Sequence, residues 1–326
     1  MGATSTDPLG RLEASLDASA PSKRMLMIVN PYATTVSDRL RNLVVYALRG
    51  RYEVDAIDTE ARDHATELCR EAAQEGYDVV VAFGGDGTVN EAANGLAGSD
   101  TPLSCLPGGR TNVYCRMLGI PTDVVDATEH LLRVADDWRP RRVDLASVNE
   151  RHFVFSAGVG LDASVVERVD AHPRLKAQLG EWYYTWTGVQ TFTRRYMMRA
   201  PRLEVEVGQE RSEGVAAIIQ NAEPYTFFGN LPVHMAEGAD LESGDLSGVV
   251  LERASPVDIP TIIWRALSKR ARVSRHRRVR HFGGLEGLRI TSRDGRPLPL
   301  QVDGDYIGEV DEAVFSVTPR GLAVVS

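Results

Sequence analysis

A glycine-rich turn that contains a carboxylate is the stretch of this sequence best suited to chemistry. Residues 84–88 read GGDGT; they follow the apolar run Val79–Phe83 and precede a helix-compatible stretch that begins near Asn90. Such a turn leaves backbone N–H groups at a helix N-terminus, where the helix dipole favours anions, and its glycines let a phosphate approach the backbone. Because Asp86 alone would repel phosphate, we expect it to hold Mg²⁺. An ordinary turn in which Asp86 caps the helix is the structural alternative.

A second pair of carboxylates occurs near the end of the chain, where residues 301–305 read QVDGD. Asp303 and Asp305 follow a strand-like segment and are candidates for a general base, which must lie within about 2.6–3.2 Å of the hydroxyl it deprotonates. Taken alone, DGD is typical of a hairpin turn. The catalytic interpretation therefore requires that this turn face residues 84–88 in the folded chain.

Other turns supply further candidate ligands for a nucleotide and a metal. Residues 30–34 contain hydroxyls and turn amides, Thr59 ends a predicted strand, and Asp144 lies at the start of the second half of the chain. Taken singly, each is also explained as a structural residue. The sequence has no GxxxxGK[ST] motif, and the turn at 84–88 lacks GxGxxG spacing, so nucleotide binding would use neither common phosphate cradle.

Composition excludes several classes of protein. The 326 residues are 43% hydrophobic and 25% charged, as in soluble globular proteins, and the net charge of −8 argues against general nucleic-acid binding. Cys69, Cys105 and Cys115 have no CxxC spacing, so neither a zinc site nor a disulfide framework is expected. No apolar run approaches the roughly 18 residues of a membrane span. We therefore expect a cytoplasmic protein.

Strand-like and helix-like segments alternate in the first half of the chain. This alternation predicts an α/β domain with a parallel sheet over residues 24–140, after a disordered leader at 1–23. Ligands of such sheets bind beyond the carboxyl ends of the strands. We therefore expect four loops to open on one edge of the sheet, namely 30–34, 58–59, 84–88 and 107–112.

Short strand-like segments predominate from residue 143 onward, which predicts a mainly antiparallel β-sandwich over residues 141–310. The segments are Val143–Val148, Phe153–Ala157, Arg202–Val207, Val215–Gln220, Asp245–Leu251, Leu288–Ser292, Leu298–Val302 and Ala313–Thr318. Residues 311–326 can return to the first domain. Two helical insertions are predicted, an aromatic-rich one at 174–198 and an apolar one at 256–271. Edge strands of such sandwiches can pair between subunits, which leaves a homodimer open.

A basic run from Lys269 to Arg280 is unusual in an acidic chain. Polybasic segments are attracted to anionic membranes by about 1 kcal/mol per residue, and the preceding apolar residues around Trp264 could lie in the membrane interface. A solvated face beside a core helix explains the run equally well. The first interpretation predicts transient, peripheral contact with the inner face of a membrane.

The motifs together resemble one known family. GGDGTVNEAANGL, preceded by NPYAT and followed by LPGGRTNVYCRMLGIP, is similar to the diacylglycerol kinase catalytic domain, whose superfamily includes bacterial lipid kinases, sphingosine kinases and ceramide kinases. FVFSAGVGLDASVV resembles the stretch that opens the family's second domain, and QVDGD resembles its C-terminal DGE motif. The likeness runs from about Arg24 to the end of the chain, in the family's order.

The resemblance implies two domains with ATP in the cleft between them and phosphate transfer to a lipid hydroxyl. It assigns nucleotide contact to Asn30, Pro31, Tyr32, Ala33, Thr34, Thr59, Gly84, Gly85, Asp86, Gly87, Thr88, Val89 and Asn90. Asp86 and Asp144 would support Mg²⁺–ATP, and the glutamate taken as the family's base falls on Asp305. The family's structural Mg²⁺ loop aligns with residues 237–245, which puts Asp240, Ser243 and Asp245 at that site.

Several positions depart from the family's pattern. Arg110 replaces a threonine that contacts nucleotide, although arginine can bind phosphate bidentately, and Val113 replaces an acidic residue. Asp305 is one methylene shorter than glutamate, which matters where a misplacement of about 1 Å can cost 10²-fold in rate. Ser243 stands in place of a metal-binding aspartate, which argues against the structural Mg²⁺.

The sequence thus predicts an ATP- and Mg²⁺-dependent lipid kinase that acts on a lipid such as diacylglycerol or a sphingoid base. NAD kinase, which also carries GGDGT, is the alternative enzyme, but VNEAANGL and the C-terminal DGD fit the lipid group better. The alternative outside enzymes is a catalytically weak module that binds nucleotide or lipid.

Overall fold

The computed structural model describes residues 23–160, 202–253 and 255–326. The predicted aromatic helix 174–198 and all but the last residue of the predicted leader lie outside the described residues. The first part of the chain forms strands β1 Lys23–Val29, β2 Tyr52–Asp58, β3 Val79–Gly84 and β4 Leu103–Pro107. Between and after them lie helices α1 Asp38–Leu48, α2 His64–Glu75, α3 Asp86–Leu96, α4 Val113–Met117 and α5 Val124–Asp136.

These four strands form a parallel sheet in the order β2-β1-β3-β4. Strands β1, β3 and β4 are apolar and almost wholly buried, because helices cover both faces of a parallel sheet. Helix α2 lies against α3 at close range, since a Cβ on Gly95 would lie 2.5 Å from Cys69 Cβ. The sequence predicted this α/β architecture, and the structure confirms it.

The second part of the chain is mostly strand. Its strands are β5 Arg141–Val148, β6 Arg151–Phe153, β7 Ser156–Gly160, β8 Leu203–Val207, β9 Glu210–Gly214, β10 Ala216–Gln220, β11 Thr226–Phe228, β12 Leu231–Val233, β13 Leu246–Leu251, β14 Val279–Leu285, β15 Gly287–Ser292, β16 Leu298–Val302, β17 Asp305–Val310 and β18 Glu312–Val324. Helix α6, Ile259–Ala266, and a 3₁₀ turn at Val273–Arg275 lie between β13 and β14.

Two antiparallel layers pack face to face, as predicted for a β-sandwich. One layer has the order β14-β13-β10-β7-β16-β17, and the other contains β5, β6, β18, β15, β8 and β9. Their shared core is apolar and includes Phe153 and Phe315, whose rings meet edge to face at 6.2 Å. The second layer is continuous with the parallel sheet, because β18 pairs with β4 at Val324 and Leu103. The end of the chain therefore lies beside the first domain.

Two predicted segments differ from the observed ones. The strand predicted at Phe153–Ala157 is interrupted between β6 and β7, because the N–H groups of Val154 and Phe155 donate to the side chain of Asp303 rather than to a neighbouring strand. The helix predicted at 256–271 is shorter, since α6 ends at Ala266 and the basic run continues into a 3₁₀ turn and β14. Within the described part of the chain, no helix is long and apolar enough to span a membrane.

The edge-to-face pair in the sandwich core provides a test of the packing. Replacing Phe315, which is almost completely buried in β18, by alanine leaves a cavity and should lower the free energy of unfolding by about 3–5 kcal/mol. Val314→Ala, on the exposed face of the same strand, is the control and should change it by less than about 1 kcal/mol. Urea unfolding followed by tryptophan fluorescence measures both. Equal effects would contradict this core assignment.

Candidate phosphate-transfer site

The loops that follow β1, β3 and β4 meet at the carboxyl edge of the parallel sheet. Asn30 Nδ2 donates to Thr88 Oγ1 at 3.2 Å, Thr35 N donates to Gly108 O at 3.1 Å, and Gly108 N donates to Gly84 O at 2.8 Å. The loop after β2 joins them through Thr59 N, which donates to Val29 O at 2.8 Å. The four loops predicted from the sequence therefore share one edge.

The turns after β3 and β4 approach each other so closely that the second turn requires glycine at two positions. A Cβ on Gly108 would lie 2.8 Å from Gly84 Cα, and a Cβ on Gly109 would lie 2.9 Å from Gly85 Cα. Real Cβ atoms do not approach backbone so closely, so only hydrogen fits on either residue. The two glycine pairs let the turns after β3 and β4 lie side by side.

The turn after β3 presents free amide donors. Helix α3 begins at Asp86, and its N-cap residue, Gly85, has no side chain that could satisfy the first turn. Val89 N donates to Gly85 O, but the N–H groups of Asp86, Gly87 and Thr88 donate to no described residue. Unpaired N–H groups at the N-terminus of an eleven-residue helix favour an anion. The turn thus fits a nucleotide phosphate.

Asp305 lies directly against this turn. A Cβ built on Gly87 would collide with Asp305 Oδ2 and would lie 3.3 Å from Asp305 Cγ. The DGD segment and the GGDGT turn, which are more than 200 residues apart in the chain, therefore face each other, as the catalytic interpretation requires. A carboxylate beside open amide donors is the arrangement of a general base next to a phosphate site. Its role as the base stays a prediction.

Asp86 caps a helix other than its own. Its Oδ1 accepts a hydrogen bond from Tyr114 N at 3.1 Å, so the carboxylate caps the N-terminus of α4 rather than its own helix. Burial raises the pKa of Asp86, opposed by the backbone donors at Val113 and Tyr114 and by the charge of Arg116. Its role as a ligand of Mg²⁺ stays a prediction.

Asn90 and Asp303 form the main polar contact between the two domains. Asn90 Nδ2 donates to Asp303 Oδ2 at 2.7 Å and to His152 O at 2.9 Å. The sequence predicted nucleotide contact for Asn90, but the residue is only 2% exposed and its amide is fully engaged. Val89, also predicted to contact nucleotide, is buried in the core, and its N–H donates to Gly85 O. Both residues hold α3 in place, and their contact with a nucleotide stays a prediction.

Asp303 accepts three further hydrogen bonds. They come from the backbone N–H groups of Val154, Phe155 and Ser156 at 2.8, 3.0 and 3.0 Å. Asp303 is thus the anchor of the DGD segment, two residues before Asp305. Sequence reasoning considered both acids as candidate bases; the structure shows that only the second lies against the phosphate turn.

An arginine that sequence reasoning missed extends this contact. Arg151 donates from Nη2 to Asn90 Oδ1 at 2.9 Å and from Nη1 to Asp63 Oδ1 at 2.7 Å. Nearby, Arg62 Nη2 donates to the carbonyl of Tyr306 at 3.3 Å, next to Asp305. No motif marks these arginines, because their partners are brought close only by folding.

The rest of the GGDGTVNEAANGL motif also builds structure. Glu91 Oε2 accepts from Ala65 N at the start of α2. Asn94 bonds both backbone groups of His152, accepting from N at 2.9 Å and donating to O at 3.0 Å. Gly95 permits the close packing of α2 on α3. Glu91, Asn94 and Gly95 therefore have structural roles: they hold α3, and with it the phosphate turn, in position.

Asp144 bonds the backbone of two distant segments. It is 2% exposed, and both of its oxygens accept backbone hydrogen bonds, Oδ1 from Arg320 N at 2.8 Å and Oδ2 from Gly244 N. It joins β5, β18 and the loop at residues 240–245. Its support of Mg²⁺–ATP stays a prediction.

The loop predicted to hold a structural Mg²⁺ is closed by a side-chain hydroxyl. Ser243 Oγ lies within hydrogen-bond distance of two acceptors for its one proton, Asp245 Oδ1 at 2.9 Å and Asp240 O at 3.1 Å, and Asp240 Oδ1 accepts from Glu242 N at 3.0 Å. The described residues contain no group of three or more acidic, histidine or cysteine side chains that could hold a metal. The assignment of Asp240, Ser243 and Asp245 to a metal site stays a prediction.

The remaining predicted residues lie on the same edge as the turn. Pro31, Tyr32 and Thr34 are exposed and Ala33 is half-buried in the loop after β1, while Thr59 is half-buried after β2 and Arg110 is exposed after β4. Tyr32 N donates to Asn30 Oδ1 at 3.0 Å, which folds this loop towards Thr88. Their contact with a nucleotide stays a prediction.

Family models match both parts of the chain. Residues 24–148 match the diacylglycerol kinase catalytic domain, and residues 155–326 match the YegS C-terminal NAD kinase beta sandwich-like domain. The chain belongs to the diacylglycerol kinase family. The resemblance inferred from the sequence motifs is thereby confirmed, and the family's two domain models together cover almost every described residue.

Curated relatives in the family are similar over most of their length. A diacylglycerol kinase of Staphylococcus saprophyticus is 26% identical over 292 residues, covering 88% of this chain and 90% of the relative. One of Staphylococcus aureus is 28% identical over 300 residues, with 88% of each chain covered. These names support a kinase.

Solved structures share the fold. The crystal structure of a diacylglycerol kinase from Bacillus anthracis matches with a TM-score of 0.68 at 19% identity, covering 94% of this chain and 97% of the other. A second structure from the same organism matches with a TM-score of 0.73 at 23% identity and the same coverage. At these identities the likeness establishes the fold alone.

The contact between Asn90 and Asp303 predicts a large stability effect. Asp303→Asn replaces one carboxylate oxygen by an NH₂ group. This group would face N–H donors, either those of Asn90 or those of the backbone between β6 and β7, and the buried donors would lose their acceptor. We expect the free energy of unfolding to fall by about 2–4 kcal/mol. Glu309→Gln, an exposed acid on β17, is the control and should have little effect. Urea unfolding would contradict the prediction if both variants matched the wild type.

Burial raises the pKa of Asp303 from 3.8 to about 6, although its N–H donors lower it. The folded state therefore binds this proton more tightly than the unfolded chain. This contribution to the free energy of unfolding is fully present below about pH 4, falls as the pH rises from about 4 to about 6, and is absent at higher pH, a total loss of at most about 3 kcal/mol. Urea unfolding between about pH 4 and 8 should show the wild type losing stability relative to Asp303→Asn up to about pH 6, with no further loss above it. A pH-independent difference would contradict it.

Proposed function

We propose that the protein is an ATP-dependent lipid kinase that transfers the γ-phosphate of Mg²⁺–ATP to the hydroxyl of a lipid such as diacylglycerol. The observation that carries this proposal is the position of Asp305, whose carboxylate lies against Gly87 at the turn with open amides. Membership of the family supports phosphate transfer to a lipid. A role in phospholipid synthesis would follow from that activity.

The residues of the turn would hold and orient the donor. The N–H groups of Asp86, Gly87 and Thr88 donate to no described residue and would suit phosphate oxygens, and exposed Arg110 lies on the neighbouring loop. Phosphoryl transfer depends mainly on positioning and charge stabilisation. Bound Mg²⁺ supplies charge neutralisation on the phosphates. The turn would therefore bind the phosphate donor mainly through backbone N–H groups rather than through side chains.

Asp305 would act on the acceptor. Its carboxylate takes the proton of the lipid hydroxyl as the oxygen attacks the γ-phosphate, which leaves ADP as the other product. Asp303 positions this group from two residues away through its four hydrogen bonds. Although aspartate is shorter than glutamate, the carboxylate of Asp305 lies against Gly87.

NAD kinase is the second candidate. The family model of the second domain describes a NAD kinase beta sandwich-like domain, which favours testing that activity. An acceptor screen with Mg²⁺ and labelled ATP should contain diacylglycerol, a sphingoid base, ceramide and NAD. Product from lipid alone supports the proposal; product from NAD alone overturns it. Nucleotide binding by calorimetry without any product would favour a binding module.

Substitution of Asp305 tests the assignment of the base. Asp305→Ala should lower kcat by 10²–10⁴-fold, as for loss of a general base, whereas Asp305→Glu, which restores the family's residue, should keep measurable turnover. Glu309→Ala, on the exposed side of the same strand, is the matched control and should retain wild-type turnover. Labelled-ATP assays with dispersed diacylglycerol measure all three. Unchanged turnover in Asp305→Ala would eliminate the assignment.

A further inference from the structure

Helix α6 has apolar side chains on two opposite faces. Ile262 and Ala266 are buried against Val273 and the hairpin β11–β12. On the outer face, Ile263 is 52% exposed and Trp264 is 62% exposed. With Pro260 and Leu267, these residues fall within an arc of about 100° of the helix. A surface helix normally presents polar residues to water, so this outer face is suited to an apolar partner.

The hairpin β11–β12 extends the apolar face. Phe228 pairs with Leu231 and Thr226 pairs with Val233, and directly paired residues point to the same side of a hairpin. Val233 packs on α6, so the exposed side chains of Phe228 and Leu231 also lie on the α6 side. His234 N donates to Ala266 O at 2.8 Å, which joins the hairpin to the helix.

Basic side chains border this face. Residues 255–280 contain eight basic residues and one acidic residue, in a chain whose net charge is −8. Arg277 and Arg278 lie within ion-pair distance of Asp258, and Arg280 lies near Glu252. In contrast, Lys269, Arg270, Arg272 and Arg275 are exposed and form no ion pair with any described residue. A local excess of unpaired positive charge remains directly after α6.

We propose that this surface docks the protein on an anionic membrane. The docking surface consists of Phe228, Leu231, Ile263, Trp264, Leu267, Lys269, Arg270, Arg272 and Arg275. Apolar side chains with a tryptophan enter the interfacial region of a bilayer, and unpaired basic residues bind anionic headgroups. The inference rests on the proposed function, because a kinase of membrane lipids must reach its acceptor at a bilayer surface.

The docking surface is joined to the phosphate turn through α4. On the opposite side of the hairpin, Phe227 packs under the guanidinium of Arg116 at 4.4 Å, and Arg116 Nη1 donates to Gly229 O at 3.1 Å. Arg116 belongs to α4, whose first turn is capped by Asp86. Docking therefore brings to the bilayer a hairpin that contacts α4, the helix capped from the phosphate turn.

Vesicle sedimentation without nucleotide tests the proposal directly. The wild type should bind vesicles of phosphatidylcholine with 30 mol% phosphatidylglycerol and should bind pure phosphatidylcholine much more weakly. Each basic residue contributes about fivefold to partitioning, so Lys269→Glu with Arg270→Glu should weaken binding at least twentyfold. Trp264→Ala should weaken it at least fivefold. The matched controls on α1, Tyr46→Ala and Arg39→Glu with Arg49→Glu, carry exposed residues and should bind as the wild type does.

Two measurements separate failure of docking from failure of the kinase proposal. All variants should phosphorylate detergent-dispersed diacylglycerol at the wild-type rate, and only the docking-surface variants should lose activity on vesicles. Unimpaired vesicle binding by these variants overturns the docking proposal while leaving the kinase intact. Vesicle binding without any lipid product overturns the kinase proposal alone. A wild-type dimer in light scattering that Trp264→Ala dissociates, without vesicle binding, would assign the surface to a second copy instead.

Discussion

The hydrogen bond between Asn90 Nδ2 and Asp303 Oδ2 is the contact on which the geometry of the site depends. It joins the helix that begins at the phosphate turn to the strand end that carries the candidate base, and it is buried at both ends. A buried carboxylate is costly unless its oxygens are satisfied. The three backbone donors at residues 154–156 meet that requirement and interrupt a strand to do so. The hydrogen bonds that Asp303 accepts therefore also fix the position of Asp305, two residues further along the chain.

The glycine-rich motif acts mainly as a set of structural constraints. Gly87 leaves room for Asp305, Glu91 caps α2, and Gly95 lets two helices approach closely. Asp86 caps α4 from a turn that belongs to a different helix. What remains for a ligand is the row of unpaired N–H groups at the start of α3. The motif is restricted to a few residue types because α3, which carries it, must contact several other elements of the fold at once.

The departures from the family's pattern have different structural consequences. Ser243 closes its loop with its own hydroxyl, so the loop keeps its shape through hydrogen bonds to Asp240 and Asp245. Val113 is buried at the start of α4, where its side chain packs in the core and Asp86 caps the helix. The change at Asp305 is different, because it lies on the site itself.

The sequence by itself determined the α/β and sandwich architecture, the family and the edge on which the loops open, and it identified the two turns that a catalytic site would have to bring together. Periodicity and turn residues are local signals, and a long motif is specific enough to identify a family. Only the tertiary structure decided which acid lies at the phosphate turn, that Asn90 and Val89 are buried, and that Asp144 bonds a distant loop. Those roles depend on partners that can be more than 200 residues away, which spacing along the chain does not encode.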